Sequence, residues 1–162
     1  MISEEDLIKE KLALVEELGV HFESSDNLPP LAARIAVYLI LSGIEGATFE
    51  ELVEKLEASK SSISTNLHLL QSMERITYYT RCGDRKRHFT ISPNHVISRL
   101  EEKIDLWEKE KSNHQKVQDY KQKIIKFNKK YNENNLGLEF NQQYIEFINK
   151  MISHLAELKK IY

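Results

Sequence analysis

Between Ser59 and Ser92 the sequence changes character twice, and the order of those changes restricts the fold more than any other feature. Ser59 is suited to cap a helix that runs from Lys60 to about Arg75. With Ile63 as origin on a wheel of about 100° per residue, Leu67 and Leu70 fall within about 40° of it and form a core side. Ser61, Ser64, Thr65, His68 and Ser72 lie opposite. A face that is only solvated usually carries Glu and Lys. A face of short hydroxyls and an imidazole can approach a surface closely and donate to phosphate or base edges. Ile76 to Thr80 then alternates like a strand, and Arg87 to Ile91 reads as a second. The six residues between them, Arg81 to Lys86, include Gly83, which is free to take positive φ. The expected product is a hairpin with a cationic tip of Arg81, Arg85, Lys86 and Arg87. Asp84 is the lone acid there, placed to orient a neighbouring guanidinium.

The flanking segments read as helices. Ser3 with Asp6 makes a variant capping box. Ile8, Leu12 and Val15 follow on one face, Gly19 weakens the helix, and residues 24–27 are expected as a loop. Pro29 and Pro30 precede a nearly all-apolar helix over Leu31–Leu41. Gly43 and Gly46 bracket its exit. Thr48-Phe49-Glu50-Glu51 opens a short helix with Phe49, Leu52, Val53 and Leu56 inward. After Ser92-Pro93 a helix of about 37 residues carries Ile97, Leu100, Ile104 and Trp107, then the polar Lys111 and His114. Val117, Tyr120, Ile124, Phe127 and Tyr131 continue it. Residues 132–137 break the pattern. A last helix bears Tyr144, Ile148, Met151, Ile152, Leu155 and Leu158.

Composition removes several alternatives. The 162 residues suit about one domain. The longest apolar run, Leu28 to Leu41, is interrupted by Arg34 and is too short to span a bilayer. No basic-then-apolar opening suggests export, and one cysteine fits a reducing compartment, so a cytoplasmic location is expected. No Gly-rich phosphate loop, nucleophile elbow or Cys/His metal spacing is present, so no enzyme, cofactor or metal is expected. The net charge of -2 is uneven: -6 over residues 1–27, -3 over 28–58, +4 over 59–92 and +3 over 93–162. A local basic element on a mildly acidic chain points to a focused polyanion contact.

The order of elements gives a mainly α fold class with a small β-hairpin, a winged helix-turn-helix flanked by long terminal helices. Residues 1–27 are read as an N-terminal dimerisation helix and loop, 28–92 as the DNA-binding domain and 93–162 as a C-terminal helical dimerisation region. In a winged helix the second helix of the pair enters the major groove and the wing reaches the minor groove or backbone. Ser61, Ser64, Thr65 and His68 are then the groove candidates, and Lys60 sits on phosphate at the helix start. Asn66 projects sideways and is expected to bond structurally. Arg85 and Arg87 are candidates for minor-groove insertion, with Asp84 as orienter, and Arg81 and Lys86 for backbone contact. The apolar seams of the terminal helices bury most simply against a second copy, through Leu12, Val15, Ile104, Trp107, Ile148, Ile152 and Leu155. Trp107 and Tyr120 are the candidate effector-pocket pair, because aromatic rings suit an organic cation. The expected function is a sequence-specific transcriptional regulator, acting as a repressor on double-stranded DNA as a homodimer and released by a small effector. The competing reading is a winged helix that binds protein or serves as a scaffold without DNA. Cys82, among cations, is a candidate redox thiol.

Four strings carry a resemblance: Leu28-Pro29-Pro30-Leu31-Ala32-Ala33-Arg34-Ile35, Thr48-Phe49-Glu50-Glu51-Leu52, Ala58-Ser59-Lys60-Ser61-Ser62-Ile63-Ser64-Thr65-Asn66-Leu67 and Gly83-Asp84-Arg85-Lys86-Arg87. Together they resemble the GbsR-type branch of the MarR transcriptional regulators, over about residues 15–92. The C-terminal part is similar only as a helical pattern. The resemblance implies a homodimeric bacterial repressor or activator on pseudo-palindromic DNA. It also implies a triangular dimer joined through its terminal helices. Some members respond to choline or other small effectors, a property of individual members that these motifs do not carry.

Overall fold

A computed structural model describes residues 3–161. The chain divides into two compact units, one ending at His95 and the other beginning at Val96.

The first unit starts with α1 (Glu4–Asp26), whose N-cap Ser3 and Asp6 form the reciprocal capping box. The helix does not weaken at Gly19, and residues 24–26 are helical, ending only at Asn27 in the left-handed region. The reason is packing. Gly19 is buried where α1 meets α2 (Pro30–Ser42), and a Cβ there would lie 3.0 Å from Cγ of Arg34. Arg34 bonds Glu16 at 2.8 Å and Glu23 at 2.6 Å, clamping the crossing that Gly19 permits. α2 is the hub of the unit, with Ile35, Val37 and Leu39 fully buried.

A single 3₁₀ turn (Gly43–Glu45) leads to β1 (Ala47–Thr48) and then α3 (Phe49–Lys55), capped by Thr48. Next come α4 (Lys60–Ser72), β2 (Ile76–Thr80) and β3 (Arg87–Ile91). Ile63, Leu67 and Leu70 of α4 are buried in the same cluster as Ile35, Leu39 and Leu52. Each such side chain stabilises the fold by roughly 1.5–3 kcal/mol on burial. Six unpaired loop residues separate β2 from β3 with Gly83 at φ +83°. The expected hairpin is in fact part of a three-stranded antiparallel sheet of order β1-β3-β2. Ala47 pairs with Phe89 and Thr48 with His88, while Tyr78 and Tyr79 face Phe89 and His88 from β2. Gly46 makes the third strand possible: it stands at φ +64°, and a Cβ there would lie 2.1 Å from the Phe89 carbonyl oxygen.

The second unit is an antiparallel helical hairpin built from most of α5 (Pro93–Phe127) and from α6 (Leu138–Lys159). Lys159 pairs with Glu101, Tyr144 Oη donates to Glu110 at 2.7 Å, and Lys121 Nζ donates to the Leu136 carbonyl at 2.6 Å. Ile145 and Ile148 are buried. A polar knot interrupts the seam. Asn141 donates to Gln118 Oε1 at 2.7 Å and to the His114 carbonyl at 3.1 Å, and its Oδ1 lies 2.7 Å from His114 Nδ1. Asn141 is already donating through its amide nitrogen, so His114 Nδ1 must carry a proton. α5 stops at Phe127, short of the expected Tyr131. Asn128 turns its side chain back to the Lys130 N–H, and Asn132 and Asn135 bond each other's backbone. Such local bonds compete with helix.

Candidate nucleic-acid interface

The exposed side of α4 begins at its N-terminus. Ser59 Oγ accepts from the Ser62 N–H at 3.1 Å and lies 3.0 Å from Ser61 Oγ. This orders the first turn and leaves Lys60, Ser61, Thr65, His68 and Ser72 exposed. No acidic residue occurs between Lys60 and Ser72. Thr65 Oγ1 donates to the Ser61 carbonyl at 2.9 Å, so the hydroxyl offers its lone pairs outward. Asn66 is half-buried, and its amide donates to the Ser62 carbonyl at 2.8 Å. Ser64 is also half-buried, rotated toward the edge of this face rather than its centre.

The hairpin carries its cations in two states. Arg81 is bound: its guanidinium donates to the Glu45 carboxylate and to Tyr79 Oη at 3.2 Å. These bonds, Tyr79's first, raise its pKa further above the ordinary guanidinium value. Arg87 lies 4.5 Å from the Tyr78 ring centroid, a cation–π arrangement. Arg85 and Lys86 are exposed and form no ion pair among the described residues. Arg81 and Lys86 are both expected on the DNA backbone, but Glu45 offsets the charge of Arg81, so Arg85 and Lys86 are the wing cations with charge to spare.

Asp84 does not orient a guanidinium. Its Oδ1 accepts from the Lys86 N–H at 2.9 Å, and Oδ2 lies 3.2 Å from His88 Nε2. The Lys86 N–H, followed by His88, holds the carboxyl below the usual Asp range. Sequence reasoning missed Glu45, Tyr79 and His88 as parts of the wing. Glu45 is 36 residues from Arg81, and only the third strand brings them together.

The candidate dimer residues divide. Val15 is 1% exposed and Ile148 0%, so neither has surface left for a partner. Leu12, Ile104, Trp107, Ile152 and Leu155 are half-buried. The large exposed apolar groups of the helical unit among the described residues are instead Leu106, Val117, Tyr120, Phe127, Tyr131, Phe140, Phe147, Leu158 and Ile161. The candidate effector pair does not converge. Trp107 packs edge-on against Phe147 at 5.8 Å, and Tyr120 is 65% exposed, thirteen residues away on the same helix, or about 20 Å. A shallow apolar depression of about 380 Å³ lies elsewhere, lined by Lys123, Ile124, Phe127, Asn128 and Tyr131. Cys82 is exposed. Among the described residues no three His, Cys, Asp or Glu side chains converge on a metal position, and no single helix is long and apolar enough to cross a membrane.

No family model matches the sequence. Over 93 residues the chain is 34% identical to the HTH-type transcriptional regulator MmpR5 of Mycobacterium tuberculosis, spanning 57% of this chain and 56% of that protein. The chain thus matches little more than half the length of its curated relative. A crystal structure of a transcriptional regulator superposes over 94% of this chain and 97% of its own, with a TM-score of 0.50 and 24% identity. That likeness establishes the fold: a mostly helical winged-helix architecture with a small three-stranded antiparallel sheet. Two variants of S. aureus MepR align at TM-scores of 0.43 and 0.42 with 15% identity, covering 96% of this chain and 99% of theirs.

Proposed function

We propose that the protein is a transcriptional regulator of the MarR type that binds double-stranded DNA as a homodimer. One observation carries the reading: an acid-free, exposed α4 face of Ser61, Thr65 and His68 occurs in one unit with a wing whose Arg85 and Lys86 have no internal counter-charge. Lys60 and the free N–H groups of the first turn suit a phosphate. The 34% identity to an HTH-type regulator supports the same reading.

Residues 28–92 then form the DNA-binding part, and residues 1–27 and 93–162 supply the dimer contacts. The partner-facing residues are the half-buried Leu12, Ile104, Trp107, Ile152 and Leu155 together with exposed Phe140 and Phe147. The GbsR-type branch belongs to this reading through the sequence motifs, and repression as the sign of regulation and a cytoplasmic location are proposed with it. Release by a small organic effector belongs to it as well, with the depression at Phe127 and Tyr131 as its site.

Selection of bound duplexes from a random DNA pool tests the whole. The expected product is an inverted repeat with half-site centres about one turn, ~34 Å, apart. Enrichment of no sequence overturns specific binding, and enrichment of unpaired half-sites overturns the dimer.

A further inference from the structure

The two ends of the cationic string Asp84-Arg85-Lys86-Arg87-His88 meet each other. Asp84 Oδ2 faces His88 Nε2 at 3.2 Å while Asp84 Oδ1 holds the Lys86 N–H. A carboxylate only accepts, so His88 Nε2 carries a proton. The imidazole belongs to the middle strand and has 11% of its side chain exposed. It stacks on Tyr79 at 5.4 Å and 21°. Tyr79 in turn donates to the Glu45 carbonyl at 2.9 Å and accepts from Arg81. The exposed Arg85 and Lys86 therefore sit between the two ends of one acid–imidazole contact.

We propose that Asp84 and His88 form a positioning clasp that fixes Arg85 and Lys86 for DNA. The proposal rests on the reading of the wing as a DNA contact.

The groups around His88 leave its ring to Asp84. From β2, Tyr79 presents its ring, with its hydroxyl proton committed to the Glu45 carbonyl. From β1, Thr48 stands opposite, uncharged. Arg81 is tied to Glu45, and Arg87, next along β3, lies over Tyr78. Asp84 is the acid facing the ring.

The test is made first on the free full-length protein, where exchange of the Lys86 amide is followed by NMR at one fixed pH. His88→Gln keeps a donor and should stay protected. His88→Phe keeps the stacking on Tyr79 without a donor, and Asp84→Ala removes the acceptor; each should lose protection by at least about threefold. Wild-type protection in both His88→Phe and Asp84→Ala overturns the clasp. DNA affinity of the same variants is then measured. Binding at least about threefold weaker in His88→Phe, with His88→Gln close to the unaltered protein, supports the proposal. Lost protection in His88→Phe with unchanged affinity overturns the coupling to DNA. If the unaltered protein binds no duplex at all, the parent reading fails, and the exchange data still decide the clasp.

Discussion

The guanidinium of Arg75, just before β2, donates to Asp26 Oδ2 at 2.5 Å, with only 4% of the Asp26 side chain exposed. This pair ties the end of α1 to the start of the hairpin across 49 residues of sequence. Breaking a buried pair by removing one partner costs about 3–5 kcal/mol. Arg75→Met is therefore expected to lower unfolding free energy by about 3 kcal/mol in urea titrations. The double variant Arg75→Met with Asp26→Leu should recover much of that loss.

Gly46 tolerates no side chain. A Cβ would meet the Phe89 carbonyl at 2.1 Å, and φ is +64°. Gly46→Ala should detach β1 from β3 and cost at least about 3 kcal/mol, combining a backbone clash with left-handed strain. Gly43 shares the positive φ, but a Cβ there would meet nothing within 4 Å, so Gly43→Ala should cost only the backbone strain, about 1–3 kcal/mol, and less than Gly46→Ala. Thermal unfolding of the two variants side by side measures the difference.

Tyr38 gives an alkaline signature. It is buried, and its hydroxyl donates to Glu51 Oε1 at 2.7 Å. Burial first, then Glu51, raises its pKa well above the ordinary tyrosine value. In the unfolded chain it ionises near pH ~10. Above that pH the unfolded state has released a proton that the folded state retains, so stability falls as pH rises, by at most about 1.4 kcal/mol per unit from this group. The contribution is fully present below pH ~10 and is lost as pH rises toward the folded-state pKa. Tyr38→Phe should lose the Glu51 bond at neutral pH, about 1 kcal/mol, and show a shallower decline above pH ~10. Urea midpoints across pH 8–11 check this, the interval spanning about the free tyrosine value.

Arg85 and Lys86 should act on DNA as plain charges. Each phosphate contact contributes about 0.9 to the slope of log affinity against log salt. In a dimer, Arg85→Ala or Lys86→Ala should each reduce that slope by about 2, with little change in sequence preference if the contact is to the backbone. Arg81→Ala should reduce it less, because Glu45 already offsets its charge. Filter binding across a salt series distinguishes the three.

Asn141 holds the knot in the helical hairpin. Asn141→Leu strands Gln118 and the His114 imidazole and should cost about 2 kcal/mol. A simultaneous Gln118→Leu should return part of it. Circular dichroism melts of the three proteins test the pattern.

The helices and the wing were legible because their signals are local. Ser3 with Asp6, Ser59, Ile63 with Leu67 and Leu70, and Gly83 act within a few residues of themselves, and the fold contains each as expected. What could not be read depends on distant partners. Gly19 looks like a helix breaker until Arg34 is laid against it. Ala47-Thr48 is too short to alternate and becomes a strand only beside Phe89 and His88. The apolar stripe of α5 showed that something must cover it, but not that α6 of the same chain buries part, so Ile148 was assigned outward. At the wing the basic composition was plain. Which cation is neutralised depends on Glu45, and what Asp84 holds depends on His88, and no spacing rule exposes either contact.

The placement of β3 between β1 and β2 governs how the wing would survive damage. A tryptic cut after Arg85 or Lys86 would open the loop without releasing either strand. The segment beyond the cut is bonded along both edges, and the segment before it stays joined to α4. A nicked protein should migrate as two fragments only once denatured.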